Sequence, residues 1–511
     1  MMSHEKLIKA LKKKEAAALQ MGGKAKLLDR KKRGLLNARE RIEALLDPNS
    51  FREIGLLARS LKLEDRDNTP ADGKITGFGT INQRAVAIVA NDLTVKGASS
   101  SSINSQKIAF MKEKATRSGK PIVFLGESSG ARIPDSLGSE AMAQAGLDPQ
   151  QYCRRRETPW ATAVLGPCFG SSTWYACLSD FVVMRKGAVL AVSSARVTSL
   201  AIGEEVDPET LGGWRLHSEI TGIADAIAET DAEALNKIKQ FLAYLPSHAN
   251  ETPPAHFETV KPPNVKDLLT LVPSERNKVY DIRDVISAVV DQDSFFPLKQ
   301  RFGKSAVTGL ARLNGQSIGV VASNPSVNGG ALDPSACRKV TSFLALCDSF
   351  HIPIILLVDT PGFLVGVEGE RRAAPAQIMN MMHALQLCTV PKIAIILRKS
   401  YGQAFLNFGG GRNSDEVAAW PSADISFMDP NIGVNVVFGI NRNDDPMQFD
   451  AACAAFTRST SAYDMAGVFG VQTIIDPRET RRYLIETLST HRSASTGGLG
   501  KREMANWPTY F

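Results

Sequence analysis

The sequence lacks the short motifs that mark most hydrolases, metalloproteases and nucleotide-binding enzymes. It contains no GxSxG, no HExxH, no Walker A loop and no kinase signature. No GxGxxG follows a first strand, which argues against a Rossmann sheet. The seven histidines are scattered, and no His or Asp is spaced with Ser171 or Ser172 to form a readable triad. These absences argue against a side-chain nucleophile.

Cysteine usage and hydropathy exclude further classes. The seven cysteines form no CxxC, so the sequence predicts neither a zinc ribbon nor a disulfide framework, and we expect no metal in this chain. Reduced thiols and a cytoplasmic location are the expectation. No apolar run reaches the roughly 18 residues of a membrane helix, and the start has no apolar signal core. We interpret the N-terminal pattern as a retained helix.

Charge is concentrated at one end of the chain. The net charge is +7, and residues 1–41 hold thirteen Lys and Arg against four Asp and Glu. Such basicity can indicate nucleic-acid binding, but no aromatic platform accompanies it, so we expect no nucleic-acid partner. A solvated helix is the favoured interpretation, and attraction of phosphorylated ligands is the alternative.

What the sequence does contain is an internal repeat. Five residues recur after 232 or 233 positions: Asn91, Gly97, Pro121, Gly130 and Gly170 are matched by Asn324, Gly330, Pro353, Gly362 and Gly402. All of them are residues typical of turns or loops. The repeat therefore predicts two copies of one fold with equivalent turns.

The length and the proline distribution support the same division. A chain of 511 residues is too long for one ordinary core, and five prolines in residues 246–263 predict a linker. We therefore expect domains at 1–252 and 253–511. In each, short apolar runs bounded by helices predict buried parallel strands, giving an α/β fold of strand–strand–helix units. Gly77 and Gly79 are expected to break the first hairpin.

Two glycine turns carry the chemistry that the residues permit. The segments GPCFGSS and SYGQA place small residues where a helix should begin, so free N–H groups there could hold an oxyanion. Two such donors aimed at a thioester oxygen would stabilise an enolate. The alternative is that the glycines only permit tight turns. Duplication of the device favours the catalytic interpretation.

Longer segments resemble one known family along nearly the whole chain. They are NARERIEALLDPNSF, SSGARIPD, LGPCFGSS, LGGWRLHSEITGIAD, ALDPSACRKVTSFLALCDSFHIPIILLVDTPGFLVG, RKSYGQA and AAWPSADISFMDP. Together they resemble the carboxyltransferase (β) subunits of biotin-dependent acyl-CoA carboxylases, above all those of propionyl-CoA carboxylase. The resemblance implies two tandem crotonase-like domains, each a ββα superhelix of the ClpP/crotonase type. It also implies a homo-hexamer built as a trimer of dimers.

The resemblance further implies a reaction and its partners. Carboxybiotin on a partner carrier chain would donate CO2 to the α-carbon of an acyl-CoA, and the freed biotin would take the α-proton. The chain has no Ala-Met-Lys-Met biotinylation motif and no apparent ATP-binding module. A biotin carboxylase and a biotin carboxyl carrier subunit are therefore the expected partners. Biotin is the expected cofactor, and coenzyme A enters as part of the substrate.

Site residues follow from the same resemblance. The acyl-CoA oxyanion donors fall on the backbone of Gly170 and Ser171, and the biotin-carbonyl donors on Gln403 and Ala404. Cofactor contacts are expected at Ser129, Gly130, Ala131, Arg132 and Ile133 beside the CoA, and at Gly362, Phe363 and Gly402 on the biotin side. The expected acyl pocket holds Phe169, Trp174, Phe405 and Leu406. Since the family usually has glycine at 171 and 403, we expect a pocket reshaped away from plain propionyl-CoA.

Alternative functions stay open on the sequence. A biotin-dependent decarboxylase or transcarboxylase subunit would run a related transfer with the same motifs. A biotin-independent hydratase or isomerase of the same superfamily would need an acid–base carboxylate, for which the candidates are Glu127, Asp359 and Glu204. A non-catalytic assembly protein is the remaining alternative.

Overall fold

The computed structural model describes residues 3–143, 153–263, 267–493 and 495–509. Its contacts divide the chain into two compact units. The N unit runs to Glu251 and includes Pro508, and the C unit is Thr252–Trp507.

The N unit begins with three helices, in the region where a retained N-terminal helix was predicted, and continues with a mixed sheet. Its helices are α1 His4–Leu19, α2 Lys24–Lys32, α3 Ala38–Leu45, α4 Ser102–Arg117, α5 Ser139–Ala143, α6 Ser171–Leu178, α7 Ala195–Ile202, α8 Pro208–Gly212 and α9 Asp231–Tyr244. Its strands are β1 Arg52–Ile54, β2 Lys74–Ile81, β3 Arg84–Asn91, β4 Ile122–Ser128, β5 Trp160–Phe169, β6 Phe181–Arg185, β7 Val189–Ala191 and β8 Ala226–Ala228.

The C unit repeats this order of elements. Its helices are α10 Leu268–Leu271, α11 Ile282–Val289, α12 Pro334–Ser349, α13 Val367–Arg371, α14 Ala374–Leu387, α15 Gln403–Asn407, α16 Pro430–Phe438, α17 Pro446–Phe456, α18 Ala462–Gly467 and α19 Thr480–His491. Its strands are β9 Phe296–Leu298, β10 Ala306–Leu313, β11 Gln316–Ser323, β12 Ile354–Thr360, β13 Lys392–Tyr401, β14 Glu416–Ala419, β15 Asp424–Ser426 and β16 Thr473–Ile474.

The two sheets have the same topology. In the N unit the strand order is β1-β2-β3-β4-β5-β6-β8, with β7 paired to the far end of β5. In the C unit the order is β9-β10-β11-β12-β13-β14-β16, with β15 paired to β13. The first three strands of each sheet are antiparallel and the rest are parallel. Each central strand is buried on both faces, as its apolar sequence predicts. The units are the tandem crotonase-like domains that the resemblance implies.

The repeat is more regular in the structure than in the sequence. Strands β2 to β5 and helix α4 recur at a constant offset of 232 residues as β10 to β13 and α12, with the same start and end positions. The parallel bridge between Ser100 and Ala131 likewise recurs between Leu332 and Phe363. A shared backbone therefore persists even where the side chains have diverged.

Two of the five sequence matches were wrong by one residue. The counterpart of Gly97 is Gly329, since their φ angles are 65° and 62° and each lies between equivalent residues of a short turn. The counterpart of Asn324 is Asp92. The side chain of Asp92 accepts from the Thr94 N–H at 3.0 Å, and that of Asn324 accepts from the corresponding Ser326 N–H at 3.3 Å.

The expected strand breaks at Gly77 and Gly79 were also wrong. Strand β2 continues through both residues. A Cβ atom on Gly77 would lie 2.3 Å from the Arg52 carbonyl oxygen, and one on Gly79 would lie 2.5 Å from the Leu46 side chain. These glycines therefore allow close packing onto the strand rather than ending it.

Candidate active site

In the N unit, strand β5 ends in a sharp turn at Gly170, which precedes helix α6. Gly170 has φ 61° and ψ −132°, a conformation open to glycine but not to other L-residues. The N–H groups of Ser171 and Ser172 follow it, and neither has an acceptor among the described residues. Thr173 closes the turn by donating to the Gly170 carbonyl at 2.9 Å. The turn thus presents two adjacent free amides at the start of a helix.

The Gly170 amide itself is already engaged. Its N–H donates to the Val192 carbonyl oxygen over a long distance of 3.4 Å. Of the two expected acyl-CoA donors, the Ser171 amide is therefore free and the Gly170 amide is not. The Ser172 amide, which the sequence prediction omitted, is the second free donor at this turn. A constant offset of 232 from Ala404 would have identified it.

The C unit has the same device at Gly402. Gly402 has φ 58° and ψ −145°, and its N–H donates to the Ser426 carbonyl at 2.9 Å. The N–H groups of Gln403 and Ala404 then have no acceptor in the described part of the chain. Both residues assigned as biotin-side donors are thus brought together with free amides. The Gln403 side chain is exposed, and its amide group contacts the Met379 sulfur at 3.7 Å.

A second glycine turn faces Gly170. A Cβ atom on Gly170 would lie 3.4 Å from the Cα of Gly130, and one on Gly130 would lie 3.8 Å from the Cβ of Phe169. Gly130 is buried with φ 101°, while its neighbours Ser129 and Ala131 are exposed. Three of the residues expected beside the CoA therefore lie at the Gly170 turn, and so does Phe169, which was expected in the acyl pocket.

Arg132, also expected beside the CoA, turns its side chain inward. The guanidinium is buried and pairs with Asp72 at 2.8 Å, and its Nε donates to the Ser99 hydroxyl at 3.3 Å. The Arg132 side chain therefore stabilises the turn from the protein interior and is not available to bind a phosphate. Ile133, by contrast, has 62% of its surface exposed and can meet a ligand directly.

In the C unit, Gly362 and Phe363 form the matching second turn. The Gly362 N–H donates to the Thr360 hydroxyl oxygen at 3.2 Å. The Gly362 carbonyl accepts from the Leu332 N–H at 3.1 Å. A Cβ on Gly362 would lie 3.9 Å from the Tyr401 carbonyl, which places this turn beside the residue that precedes Gly402.

The remaining pocket residues divide between the units. Trp174 on α6 is 41% exposed, on the helix that carries the free amides of the N unit. Phe405 and Leu406 on α15 are half-buried. Cβ atoms at Gly410 and Gly411 would collide with them, at 2.4 Å from Phe405 and 2.6 Å from Leu406. The two glycines thus make room for the bulky pair.

Glu127 is held in a buried network of arginines. Its carboxylate accepts from Arg41 at 2.6 Å and pairs with Arg30 at 2.9 Å, and Arg41 also binds Asp231 at 2.9 Å. These contacts tie the N-terminal helices α2 and α3 to the end of strand β4. Because both arginines hold the carboxylate, it is poorly suited to accept a substrate proton.

Asp359 occupies the equivalent position in the C unit and is also fully committed. It accepts from the Arg398 Nε and the Tyr280 hydroxyl, each at 3.0 Å, and from the Lys399 backbone N–H at 3.1 Å. Burial, followed by the charge of Asp359, raises the pKa of Tyr280 well above its usual value. Both carboxylates, named above as acid–base candidates, are structural anchors.

The buried histidine near the N-unit turn is likewise satisfied. His217 contacts the Leu190 carbonyl at 2.7 Å and the Thr221 hydroxyl at 3.1 Å through its two ring nitrogens. Burial lowers the pKa of His217, which keeps it neutral at physiological pH. Among the residues that the structure describes, no group of three His, Cys, Asp or Glu side chains could hold a metal. No helix in the described ranges is long and apolar enough to cross a membrane.

The chain is similar in sequence to known proteins over most of its length. The family model described as a carboxyl transferase domain matches residues 29–505. The carboxyltransferase subunit of propionyl-CoA carboxylase from Haloferax mediterranei is 34% identical over 506 residues, which cover 96% of this chain and 97% of the relative. The α subunit of methylmalonyl-CoA decarboxylase from Veillonella parvula is 32% identical, covering 94% of this chain and 95% of the relative.

A solved structure extends the similarity to three dimensions. The transcarboxylase 12S crystal structure, determined as a hexamer with methylmalonyl-coenzyme A and methylmalonic acid bound, superposes with a TM-score of 0.89. It is 32% identical and covers 97% of this chain and 98% of its own.

Proposed function

This chain belongs to the carboxyl transferase domain family, and on that premise we propose that it is the carboxyltransferase subunit of a biotin-dependent acyl-CoA carboxylase. It moves CO2 from carboxybiotin on a partner carrier protein to the α-carbon of an acyl-CoA thioester. The observation that carries the proposal is the duplicated turn, in which Gly170 and Gly402 each precede two free amides.

Each turn serves one of the two reactants. The N–H groups of Ser171 and Ser172 hold the thioester oxygen and stabilise the negative charge that develops when the α-proton leaves. The N–H groups of Gln403 and Ala404 hold the carbonyl oxygen of biotin. Preorganised backbone donors of this kind need no charged side chain, which fits the commitment of Glu127 to its arginine partners. The role of Gly170 is to set the backbone conformation of the turn.

The C-unit turn fits a biotin ring in its local chemistry. Gly362 and Gly402 present no side chains at the two turns, and the two free amides are donors for a urea-type carbonyl oxygen. Biotin, when bound, supplies the carboxyl group and the base that accepts the α-proton. This chain contributes the binding and orientation of both reactants. The domains 1–252 and 253–511 are accordingly assigned to acyl-CoA and biotin.

Assembly into a homo-hexamer, a trimer of dimers, is the second part of the proposal. An apolar helix follows the short strand that pairs with the end of the turn-bearing strand in each unit. It is α7 after β7 in the N unit and α16 after β15 in the C unit. Leu200 on α7 is 77% exposed and Val436 on α16 is 66% exposed. Such patches on a single subunit mark surfaces that a second protein covers. Sedimentation equilibrium should give a mass six times that of one subunit.

The partners remain a biotin carboxylase and a biotin carboxyl carrier subunit, and the working compartment is the cytoplasm. The exposed lysines of α1 are candidates to attract the phosphates of CoA. Direction is the point on which the relatives differ, because similar chains act as carboxylase, decarboxylase and transcarboxylase subunits. A decarboxylase or transcarboxylase role is therefore the second candidate.

Transfer to free biotin tests the proposed chemistry without the partner chain. The purified protein is mixed with methylmalonyl-CoA and an excess of free biotin, and propionyl-CoA is measured by chromatography. We expect biotin-dependent formation of propionyl-CoA that is lost when avidin sequesters the biotin. Formation at the same rate without biotin would contradict the proposal and favour a biotin-independent enzyme.

ATP then separates the two candidate directions. With a biotin carboxylase partner, bicarbonate and ATP, the first candidate predicts net carboxylation of an acyl-CoA. Transfer that proceeds only from a carboxylated thioester, with no gain from ATP, would favour the second candidate.

A further inference from the structure

Two serine hydroxyls meet beside the free amides of the N-unit turn. The Ser100 and Ser171 hydroxyl oxygens lie 2.7 Å apart, a hydrogen-bonding distance. Both residues are half-buried, and Ser171 also supplies one of the two free N–H groups.

One hydroxyl proton of the Ser100–Ser171 pair is not used in the hydrogen bond between the two serines. One of its two protons bridges the oxygens, and the other has no acceptor among the described residues. The pair can therefore donate a hydrogen bond to a ligand next to the Ser171 amide.

Its position is fixed by buried contacts. The Ser100 N–H donates to the Gly130 carbonyl at 2.8 Å, and the Ser100 carbonyl accepts from the Arg132 N–H at 2.9 Å. The guanidinium of Arg132 is held in turn by Asp72 and by the Ser99 hydroxyl. A donor held this firmly loses little freedom when a ligand arrives.

The fold does not require this pair. In the C unit the equivalent positions, 232 residues on, are Leu332 and Gln403, while the backbone of both turns is the same. The hydroxyls are therefore specific to the half of the protein that the proposed function assigns to the acyl-CoA.

The chemistry of the reaction suggests what they bind. A malonyl-type thioester carries a carboxylate on the carbon next to the thioester carbonyl, whereas the uncarboxylated acyl-CoA carries none. With the thioester oxygen at the Ser171 and Ser172 amides, that carboxylate lies only one carbon away. A hydroxyl donor forms a strong, charge-assisted hydrogen bond with a carboxylate. We propose that the Ser100–Ser171 hydroxyl pair binds the carboxylate of the malonyl-type CoA thioester, as a specificity-determining contact for the carboxylated reactant.

This inference rests on the proposed function, and binding measurements can separate the two. Malonyl-CoA and acetyl-CoA differ only by the carboxylate, and titration calorimetry on the full-length protein gives the affinity for each. We expect Ser171→Ala to weaken malonyl-CoA binding by roughly 10-fold or more and to change acetyl-CoA binding less than about 2-fold. Ser171→Thr keeps a hydroxyl and should retain most of the preference for malonyl-CoA.

Two further variants sharpen the test. Ser100→Ala removes the partner that orients Ser171, so the preference should fall in the same direction. Ser118→Ala removes a hydroxyl that bonds the Lys114 carbonyl at the end of α4, and should leave both affinities unchanged. An unchanged malonyl-to-acetyl ratio in Ser171→Ala, with both thioesters bound, would overturn the inference alone. Failure of the wild-type protein to bind either thioester would overturn the proposed function and the inference with it.

Discussion

Gly170 and Gly402 have nearly the same backbone conformation, with φ and ψ of 61° and −132° at the first and 58° and −145° at the second. In each case the strand before the glycine starts and ends at corresponding positions, and the short helix after it starts at the corresponding residue. The positive φ turns the chain so that the next two amides have no acceptor in the described ranges. The same backbone device thus faces two different proposed ligands.

The N-unit amide can be removed by one substitution. Ser171 is the first residue of α6, a position where proline is tolerated, so Ser171→Pro should delete the N–H and preserve the helix. We expect the rate of carboxyl transfer to fall by roughly 10²–10³-fold, a loss of about 2.7–4 kcal/mol of transition-state stabilisation. Steady-state kinetics of the transfer to free biotin measures it.

Ser171→Ala is the matched control, because it removes the same hydroxyl and keeps the amide. A loss of equal size in both variants would show that the side chain, and not the N–H, is responsible. Proline at 170 is a poorer test, since its fixed φ near −65° is incompatible with the positive φ of Gly170.

The C-unit amide should affect the other reactant. Gln403→Pro removes the N–H at the start of α15, and Gln403→Ala keeps it. We expect the proline variant to lower the rate by about 10²-fold or more, whereas acyl-CoA binding measured by calorimetry stays unchanged. Weaker acyl-CoA binding in Gln403→Pro would contradict the assignment of this turn to biotin.

The Glu127 carboxylate should matter for stability more than for chemistry. Glu127→Gln removes the partner charge of Arg30 and Arg41 in a buried site, which should lower the free energy of unfolding by about 3–5 kcal/mol. Chemical denaturation measures the loss. Turnover per folded molecule should stay within a few-fold of wild type, and its complete loss in folded protein would revive a carboxylate base.

A buried lysine should make stability depend on pH. Lys339 donates to the Phe302 and Ala306 carbonyls, and burial lowers its pKa from 10.5 to about 7. Between about pH 7 and 10.5 the unfolded chain binds more protons at this group than the folded one. The free energy of unfolding should therefore rise with pH across that window, by at most about 1.4 kcal/mol per unit.

Lys339→Met isolates this contribution. In denaturation experiments, the unfolding free energy of the wild type minus that of the variant should increase as the pH rises from 7 towards 10. A pH-independent difference would mean that Lys339 stays charged in the folded protein. Lys107, its counterpart in the N unit, has a pKa lowered to about 8 by burial and should respond over a narrower window.

We expect the preferred acyl-CoA to differ from that of the family, because this chain departs from the family pattern near the expected acyl pocket. Phe169 lies against the Gly130 turn, and Trp174 stands exposed on α6. These bulky side chains should shift the optimum away from propionyl-CoA. Kinetics over a panel of acyl-CoAs of increasing length decides this, and a sharp propionyl-CoA optimum would contradict it.

The family and the fold class could be predicted from the sequence, and both were confirmed. The order of residues along the chain carries the information on family and fold class. Turn residues and buried apolar runs recur with the same local spacing in the two halves of the sequence, and the structure shows the same spacing. The buried parallel strands that the short apolar runs predict were found in both units. The glycine turns at 170 and 402 were found for the same reason.

What the sequence by itself determined is therefore the backbone: two copies of one unit, and the positions where only glycine can make the turn. Only the tertiary structure decided which groups are free. It engaged the Gly170 amide with Val192, left those of Ser171 and Ser172 open, and turned Arg132 inward onto Asp72. It also brought Ser100 to Ser171, which are 71 positions apart in the chain. Local propensity is written into neighbouring residues, whereas the partner of a hydrogen bond or a buried charge is set by residues that meet only after folding.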